Sequence, residues 1–419
     1  MRRVRTSQSG TARNWSGTNE SIPAINRRAF QLAVLVQWAC QMKIVVVVFS
    51  VLLIFGILLD AFESIVLPRR VTRRFRLARI FYRVTWIPSA ALARRISSSR
   101  RRERYLGFFG PLSLILLLIV WAVVLIIAFG SLHWSLGTPI RSLDGSERFG
   151  DYLYLSGTTF FTLGYGDITP SAPLGRALAI AEAGVGFAFL ALIIGYLPVI
   201  YQAFSRREAN ISLLDARAGS PPSAGELIRR HGQDLSDLDH ILRDWEDWAA
   251  DLLESHLSYP VLCYYRSQHN NQSWLTALTA ILDTSALVIV GIDGASKHQA
   301  QLTFAMARHA VVDIAQVFAT PPRDPVPDRL SLEASRGLRS ALAIAGVKLT
   351  AGDAAESRLA ELRKMYEPYV APLADFLLIE LPPWCPEPGS YDNWQTSAWG
   401  RISAGIDLKT SPVSEEEHF

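Results

Sequence analysis

Cysteine is scarce in this chain, and the three that occur, Cys40, Cys263 and Cys385, lie far apart. No pair has CxxC spacing and no histidine stands at metal-ligand spacing, so neither a disulfide framework nor a zinc site is predicted. The chain also lacks the GxGxxG pattern of a dinucleotide site, and its histidines form no pairing of nucleophile and base. We therefore predict no catalytic residues, no enzyme activity, no organic cofactor and no nucleic-acid partner.

Hydrophobic residues make up 50% of the 419-residue chain, a high fraction for a soluble protein. A bilayer requires about 20 consecutive apolar residues for each helical crossing. Three runs reach this length, at residues 43–67, 111–134 and 175–204. We predict a multi-pass protein of the plasma membrane. A fourth run, 275–292, is interrupted by Asp283 and is predicted to be buried in a soluble part.

Acidic residues are nearly absent from the segment 68–110, where Glu103 stands against thirteen arginines. Such a loop is expected to stay in the cytoplasm. The second apolar run then leads outward, the third leads inward, and the carboxyl-terminal half is cytoplasmic. The arginines either set this topology and do nothing more or, with Phe75 and Phe81 between them, form an interfacial segment at 69–104 that binds anionic lipid.

The first 41 residues are polar and basic, and they are predicted to be unstructured. An alternative is that translation begins at Met42, directly before the first apolar run. In either case the first transmembrane helix is predicted at 42–67.

The sequence TLGYGD, residues 162–167, lies between the second and third runs, in a segment that starts and ends on the outer side. Residues 149–161 have the composition of a short helix. Irregular backbone at membrane depth is allowed only where it is buried in protein or lines a water-filled cavity. Gly164 and Gly166 permit positive φ, and alternating such residues with ordinary ones directs successive carbonyl groups to one side. The segment is therefore predicted to enter the membrane and return.

Residues 159–167, Thr-Phe-Phe-Thr-Leu-Gly-Tyr-Gly-Asp, resemble the TxxTxGYGD signature of pore-loop potassium channels. The resemblance covers residues 111–204. It implies an outer helix at 111–134, a pore helix at 149–161, a selectivity filter at 162–167 and an inner helix at 175–204.

The resemblance also implies roles for individual residues. The transported ion, K⁺, is expected to be bound by the backbone carbonyls of Thr162, Leu163, Gly164 and Tyr165, with Gly166 completing the turn. Thr159 and Asp167 are expected to support the filter or its outer mouth. The chain departs from the usual pattern at Leu163, where valine or isoleucine is common, and at Phe161, where a second threonine often stands. Because four loops encircle an ion, one filter per chain implies a homotetramer.

The third run carries further candidates. Glu182 is predicted either to bond the pore helix near Thr158 or Thr159, as a filter support, or to face the cavity. Gly186 is either a gating hinge or a close-packing site. Gly195 and Pro198 are candidates for a bend at the gate.

The carboxyl-terminal half divides into a linker at 205–225, a helical domain at 226–380 and a flexible tail at 381–419. Residues 226–260 are acidic, and an amphipathic helix is predicted there, with divalent-ion binding as a weaker alternative. The fold class is an all-α membrane protein, with one extra amino-terminal transmembrane helix and a helical cytosolic domain added to the pore. The predicted function is potassium conduction. The alternatives are a weakly selective monovalent cation channel and a membrane-anchored sensor that acts through its cytoplasmic domain.

Overall fold

A computed structural model describes residues 24–67, 76–142, 145, 147–232, 235–268, 271–292 and 294–386. Within these ranges the chain is almost entirely helical, as predicted. The helices are α1 (Ala24–Ala61), α2 (Leu77–Ala93), α3 (Ser99–Leu136), α4 (Phe149–Phe160), α5 (Pro173–Ala218), α6 (Ala224–His231), α7 (Ser236–Ser258), α8 (Trp274–Gly291), α9 (Lys297–Val317), α10 (Leu332–Ile344), α11 (Asp353–Lys364) and α12 (Glu367–Leu377). Strands β1 (Ile140–Arg141) and β2 (Thr169–Pro170) pair antiparallel. A π-helical turn covers Phe62–Val66 and a 3-10 turn covers Pro260–Tyr264.

Four described helices, α1 with its π-helical extension, α3, α5 and α8, are long and apolar enough to cross a membrane. Helices α3 and α5 pack against α4, and α1 packs against α3. Their shared core includes Trp121 and Leu125 of α3, Phe160 of α4 and Phe189 of α5. Much of their remaining apolar surface is exposed in the single chain. Exposed apolar area of this extent indicates contact with lipid or with other protein chains.

The long helices extend beyond the apolar runs that marked them. Helix α1 begins at Ala24, so residues 24–41 are helical where an unstructured segment was predicted, and residues 1–23 lie outside the described part. Helix α3 begins at Ser99 and α5 continues to Ala218. The apolar criterion detects only the part of a helix that matches the bilayer. The polar turns of α3 and α5 beyond it carry side chains such as Leu106 and Ile211, which pack into the core of the carboxyl-terminal domain. The described residues of α1 before its apolar run are mostly exposed.

The arginine-rich segment is also partly helical. Helix α2 packs Trp86, Ala90 and Ala93 into the core of the carboxyl-terminal domain. Its first turn is held by Asp60 of α1, whose two carboxylate oxygens accept hydrogen bonds from the backbone N–H groups of Leu77 and Ala78, each at 3.0 Å. A carboxylate on the free N–H groups at a helix start is a favourable contact. This contact accounts for an acidic residue in the first apolar run.

Helices α6 to α12 and residues 378–386 form the carboxyl-terminal domain, with α8 at its centre. Helix α8 is buried, as predicted, and packs against α7, α9 and α11. Helix α7, in the acidic segment, buries Trp245 and Trp248 on one face, as expected of an amphipathic helix. In the described residues, no group of three or more His, Cys, Asp or Glu side chains is placed to hold a metal ion.

Asp283, the acid within α8, belongs to a buried ion cluster. Arg329 Nη2 lies 2.6 Å from Asp283 Oδ2, Arg329 Nη1 lies 3.1 Å from Glu367 Oε1, and the Tyr366 hydroxyl also bonds Asp283. Burial is the largest single influence and opposes the charge on Arg329, but Asp283, Tyr366 and Glu367 together outweigh it and raise the pKa of the guanidinium above its ordinary value. The buried acid is therefore paired with a permanent cation.

The start of the predicted flexible tail is ordered. Trp384 is buried, with the guanidinium groups of Arg329 and Arg363 at 5.9 and 5.7 Å from its ring centre. Its carbonyl oxygen accepts a hydrogen bond from the Gly225 N–H at 2.8 Å. Residues 381–386 are thus part of the domain because these cations and α6 hold Trp384, and residues 387–419 lie outside the described part.

Helix α5 connects α3 and α4 to the carboxyl-terminal domain without a break, so the predicted linker at 205–225 is helical as far as Ala218. Arg207 is buried at this junction and donates to the carbonyls of Leu262 and Tyr265, each at 2.9 Å. It also donates to His256 Nε2 at 3.2 Å, because His256 Nδ1 is 2.9 Å from the Leu252 carbonyl and must carry the ring proton. Burial and Arg207 lower the pKa of His256 well below its ordinary value, so this imidazole is neutral.

Candidate functional site

The candidate site is built on the hairpin between α3 and α5. Strands β1 and β2 pair Ile140 with Pro170 and Arg141 with Thr169, which closes the base of the hairpin. Helix α4 begins after Arg148, whose N–H donates to the Asp151 side chain at 2.8 Å. An acid in the first turn stabilises a helix start. The start of α4 is therefore fixed, and the chain leaves the helix at Phe160 directly into residues 162–167.

The filter backbone alternates in the sign of φ. Thr162, Gly164 and Gly166 have φ of 54°, 55° and 80°, with residues of ordinary φ between them. The Leu163 N–H returns to the Thr158 carbonyl at 2.8 Å, which fixes the start of this run on the end of α4. Such alternation is what a row of carbonyl groups on one side requires. The glycines made two of these positions predictable, whereas a left-handed threonine is uncommon and was not predicted.

The filter segment is exposed in the single chain. Phe161, Leu163 and Tyr165 expose 58%, 53% and 67% of their surface. One chain therefore provides one wall of the site and leaves the opposite side open.

Asp167 is tied to the pore helix. The Tyr154 hydroxyl donates to Asp167 Oδ2 at 2.8 Å, and the Ile168 N–H donates to Oδ1 at 3.0 Å. Tyr154 was not among the predicted site residues. It stands 13 positions before Asp167, and only the return of the chain beside α4 brings the two together.

Glu182 contacts α4 at Ser156, close to Thr158 and Thr159. Its Oε1 forms a hydrogen bond with the Ser156 hydroxyl, one turn before Thr159, and the side chain is fully buried rather than facing an open cavity. The Thr158 hydroxyl instead lies 3.0 Å from each of two carbonyl oxygens of its own helix, those of Tyr154 and Leu155. The structure records no side-chain bond for Thr159, whose carbonyl accepts the Thr162 N–H at 3.0 Å.

The glycines of α5 differ in their surroundings. A Cβ atom at Gly186 would lie 1.9 Å from the Phe160 carbonyl oxygen, so this glycine allows α5 to pack directly against the end of the pore helix. Gly184 and Gly195 have no atom within 4 Å of the same position. Pro198 lies inside α5, which is one continuous helix past it. The geometry favours the close-packing role for Gly186, and a hinge at these positions stays a prediction.

The fold and the site together define a class of protein. It is a helical membrane protein in which a short helix and a left-handed turn lie between two long flanking helices. Residues 113–202 match a protein family described as "Ion channel". This confirms the resemblance noted from the sequence, and over these residues the chain is similar to ion channels.

Two kinds of relatives are similar to the chain. An uncharacterized membrane protein of Bacillus subtilis, YdjJ, is 26% identical over 197 residues, which are 44% of this chain and 54% of that protein. Protein LctB of Bacillus caldotenax and protein LctB of Geobacillus stearothermophilus are each 36% identical over 87 residues, which are 18% of this chain and 64% of the relative. The chain thus spans between half and two thirds of the length of these relatives. No solved structure matches it.

Proposed function

We propose that four copies of the chain form a potassium-selective channel that conducts K⁺ passively across the plasma membrane. The alternating φ values from Thr162 to Gly166 are the observation that carries this proposal, because they suit a row of backbone carbonyls that replaces the hydration shell of the ion. Thr162, Leu163, Gly164 and Tyr165 supply those carbonyls, and the Thr162 hydroxyl lies at the inner end. Asp167, held by Tyr154, fixes the outer end.

The exposure of the filter supports the tetramer. Its side chains are more than half exposed, and α5 beside it presents Ile180, Phe187 and Ile194 to the outside of the single chain. Neighbouring copies would cover this surface and place four filters around one axis. The carboxyl-terminal domain, joined to α5 through Arg207, lies on the cytoplasmic side in this arrangement.

Helix α2 is proposed as the contact with anionic lipid. Leu77, Ile80, Val84 and Ile87 form an exposed apolar stripe on the face opposite the buried one. Arginines flank this stripe, at positions 79, 83, 94 and 95, and all four are exposed. An apolar stripe edged by cations matches a bilayer surface that contains negative headgroups. Flux in vesicles with anionic lipid should exceed flux in neutral vesicles, and Arg79→Gln with Arg83→Gln should reduce that difference.

Potassium flux into vesicles that contain the purified protein tests the channel itself. Gly164→Ala should abolish flux, because φ of +55° is unfavourable for alanine and the carbonyl row depends on it. Tyr165→Val should reduce selectivity by removing the packing beside the filter. Gly150→Ala is the matched control, since Gly150 lies in the first turn of α4 with no atom within 4 Å of an added Cβ.

The same assay separates the alternatives. Equal fluxes of sodium and potassium in the wild-type protein would favour a weakly selective cation channel, for which Leu163 in place of valine is the motivating feature. Absence of monovalent flux in vesicles of every composition would overturn the channel proposal and favour a membrane-anchored sensor.

A further inference from the structure

Three polar side chains meet behind the pore helix. His133 of α3, Ser156 of α4 and Glu182 of α5 are each fully buried. His133 Nε2 lies 3.9 Å from Glu182 Oε2, and neither of these atoms has a hydrogen-bond partner in the described structure. The cluster joins the three elements that position the filter.

Thr138 and His133 contact each other through two polar atoms. The Thr138 hydroxyl lies 3.2 Å from the His133 carbonyl oxygen and 3.0 Å from His133 Nδ1. When the hydroxyl donates to the carbonyl, Nδ1 donates to the hydroxyl oxygen, and the Nε2 atom of neutral His133 then presents a lone pair to Glu182.

Ser156 is short of one proton. Its hydroxyl lies 2.8 Å from the Ile126 carbonyl and also bonds Glu182 Oε1. A serine hydroxyl has one hydrogen, so it can donate to only one of these oxygens in a linear bond. Both contacts are hydrogen bonds when the Glu182 carboxyl group is protonated. Its O–H then donates a hydrogen bond to the Ser156 oxygen, and the Ser156 O–H donates to the Ile126 carbonyl. A neutral acid also avoids placing an isolated charge in a fully buried site.

Other ionisable groups do not supply a balancing charge. Among the described residues, Tyr152 of α4 lies at the edge of the cluster, and its hydroxyl donates to the Thr138 carbonyl at 3.1 Å. Arg176 of α5 is exposed and donates to the Pro170 carbonyl at 3.3 Å. His133 is the ionisable group of α3 that faces Glu182.

We infer that Glu182 holds a proton at neutral pH, and that this proton keeps α4 seated against α3 and α5 so that the filter conducts. Glu182, Ser156 and His133 are positioning residues in this scheme, since they act on the filter through α4. Removal of the proton leaves a buried carboxylate beside a neutral imidazole and costs Ser156 one of its two bonds. Conduction should therefore fall in alkaline solution. The inference rests on the proposed channel function.

The test combines current recording with infrared spectroscopy on the full-length reconstituted protein. Wild-type current should fall about twofold or more as pH rises from about 7 to about 10. Glu182→Gln resembles the protonated acid and cannot ionise, so it should conduct at neutral pH with a flat profile. Glu147→Gln removes an exposed carboxylate from the same hairpin and should keep the wild-type profile.

The infrared measurement does not depend on conduction. The difference spectrum between wild type and Glu182→Gln should contain a protonated-carboxyl band at neutral pH that disappears in alkaline solution. Two results would overturn the inference while leaving the channel proposal in place. One is the absence of that band at neutral pH, and the other is a current in Glu182→Gln that falls with rising pH as it does in the wild type. Presence of the band without any wild-type flux would support the proton site and contradict the channel.

Discussion

Helices α5 and α8 are both apolar enough to cross a membrane, yet the chain treats them in opposite ways. In the most apolar stretch of α5, 17% of the residues are buried by the chain, against 89% in α8. Helix α8 obtains its cover from α7, α9 and α11 of its own domain. Helix α5 has cover on one side and requires lipid or further copies on the other. High hydropathy therefore indicates that the surface of a helix must be shielded from water. The surrounding fold determines whether the same chain, another copy or lipid shields it.

The two helices also differ in how they accommodate a buried acid. Asp283 of α8 is paired with Arg329, a cation that is always charged, and with the Tyr366 hydroxyl. Among the described residues, Glu182 of α5 meets the Ser156 hydroxyl and the His133 imidazole. A full ion pair suits a domain assembled in water, where the charged groups are desolvated together. A neutral hydrogen bond suits a site enclosed by a membrane helix bundle.

The most direct way to break this comparison is to show that α8 crosses the membrane. Leu213 near the end of α5 and Ile344 at the end of α10 are both exposed, and α8 lies between them in the chain. If α8 does not cross, cysteines at 213 and 344 will react with a membrane-impermeant maleimide from the same side. The effect is all or none, because a crossing by α8 would place them on opposite sides.

The labelling requires two controls. Cys40 and Cys385 must be replaced, whereas Cys263 is buried and does not compete. A cysteine at Glu147, which is exposed between β1 and α4, should react from the other side. Opposite labelling of 213 and 344 would make α8 a fourth span and remove the contrast with α5.

A second prediction concerns the covered side of α5. Gly186→Ala places a methyl group 1.9 Å from the Phe160 carbonyl, so α5 and the end of α4 must separate next to the filter. Potassium flux should fall by about tenfold or more, as expected when a displacement of about 1 Å disturbs a site that depends on position. Flux and tetramer content should be measured together.

Gly184→Ala is the matched substitution, because the added carbon has no neighbour within 4 Å in the chain. It should leave flux unchanged if α5 packs on the pore helix through one face only. Equal loss in both variants would indicate that Gly186 acts through helix flexibility, as a hinge does, rather than through contact with Phe160.

Much of the pore was predictable because its signals are local. The apolar runs, the glycines at 164 and 166 and the surrounding motif are each read within a few residues. The supports of the filter are not local. Tyr154 contacts Asp167, and Ser156 contacts Glu182, only after the hairpin folds back. Thr162 has a positive φ although it is not a glycine, so the sequence does not indicate its conformation.

Parts of the chain outside the hairpin show the same limit more strongly. Asp60 caps a helix 17 residues away, and Trp384 is held by Arg329 and Arg363 from separate segments. Neither pairing has a fixed spacing that a sequence pattern can reveal. From composition, the segment that contains α2 was predicted as a loop and the segment that contains Trp384 as a tail. Both segments are rich in polar or turn-forming residues, which are typical of solvent-exposed chain, and their folded contacts cannot be read from the sequence.

The smallest predicted effect concerns α8 and its ion cluster. Asp283→Ala leaves Arg329 buried with only Glu367 to balance it, and removing one partner of a buried pair typically costs about 3–5 kcal/mol. The thermal midpoint of the domain, measured in detergent on the full chain, should fall by about 10 °C. Asp375→Ala breaks an exposed pair with Arg323 and should change the midpoint little, since surface pairs contribute about 1 kcal/mol or less. Equal shifts in the two variants would mean that water reaches Asp283, and α8 would then lack the cover that distinguishes it from α5.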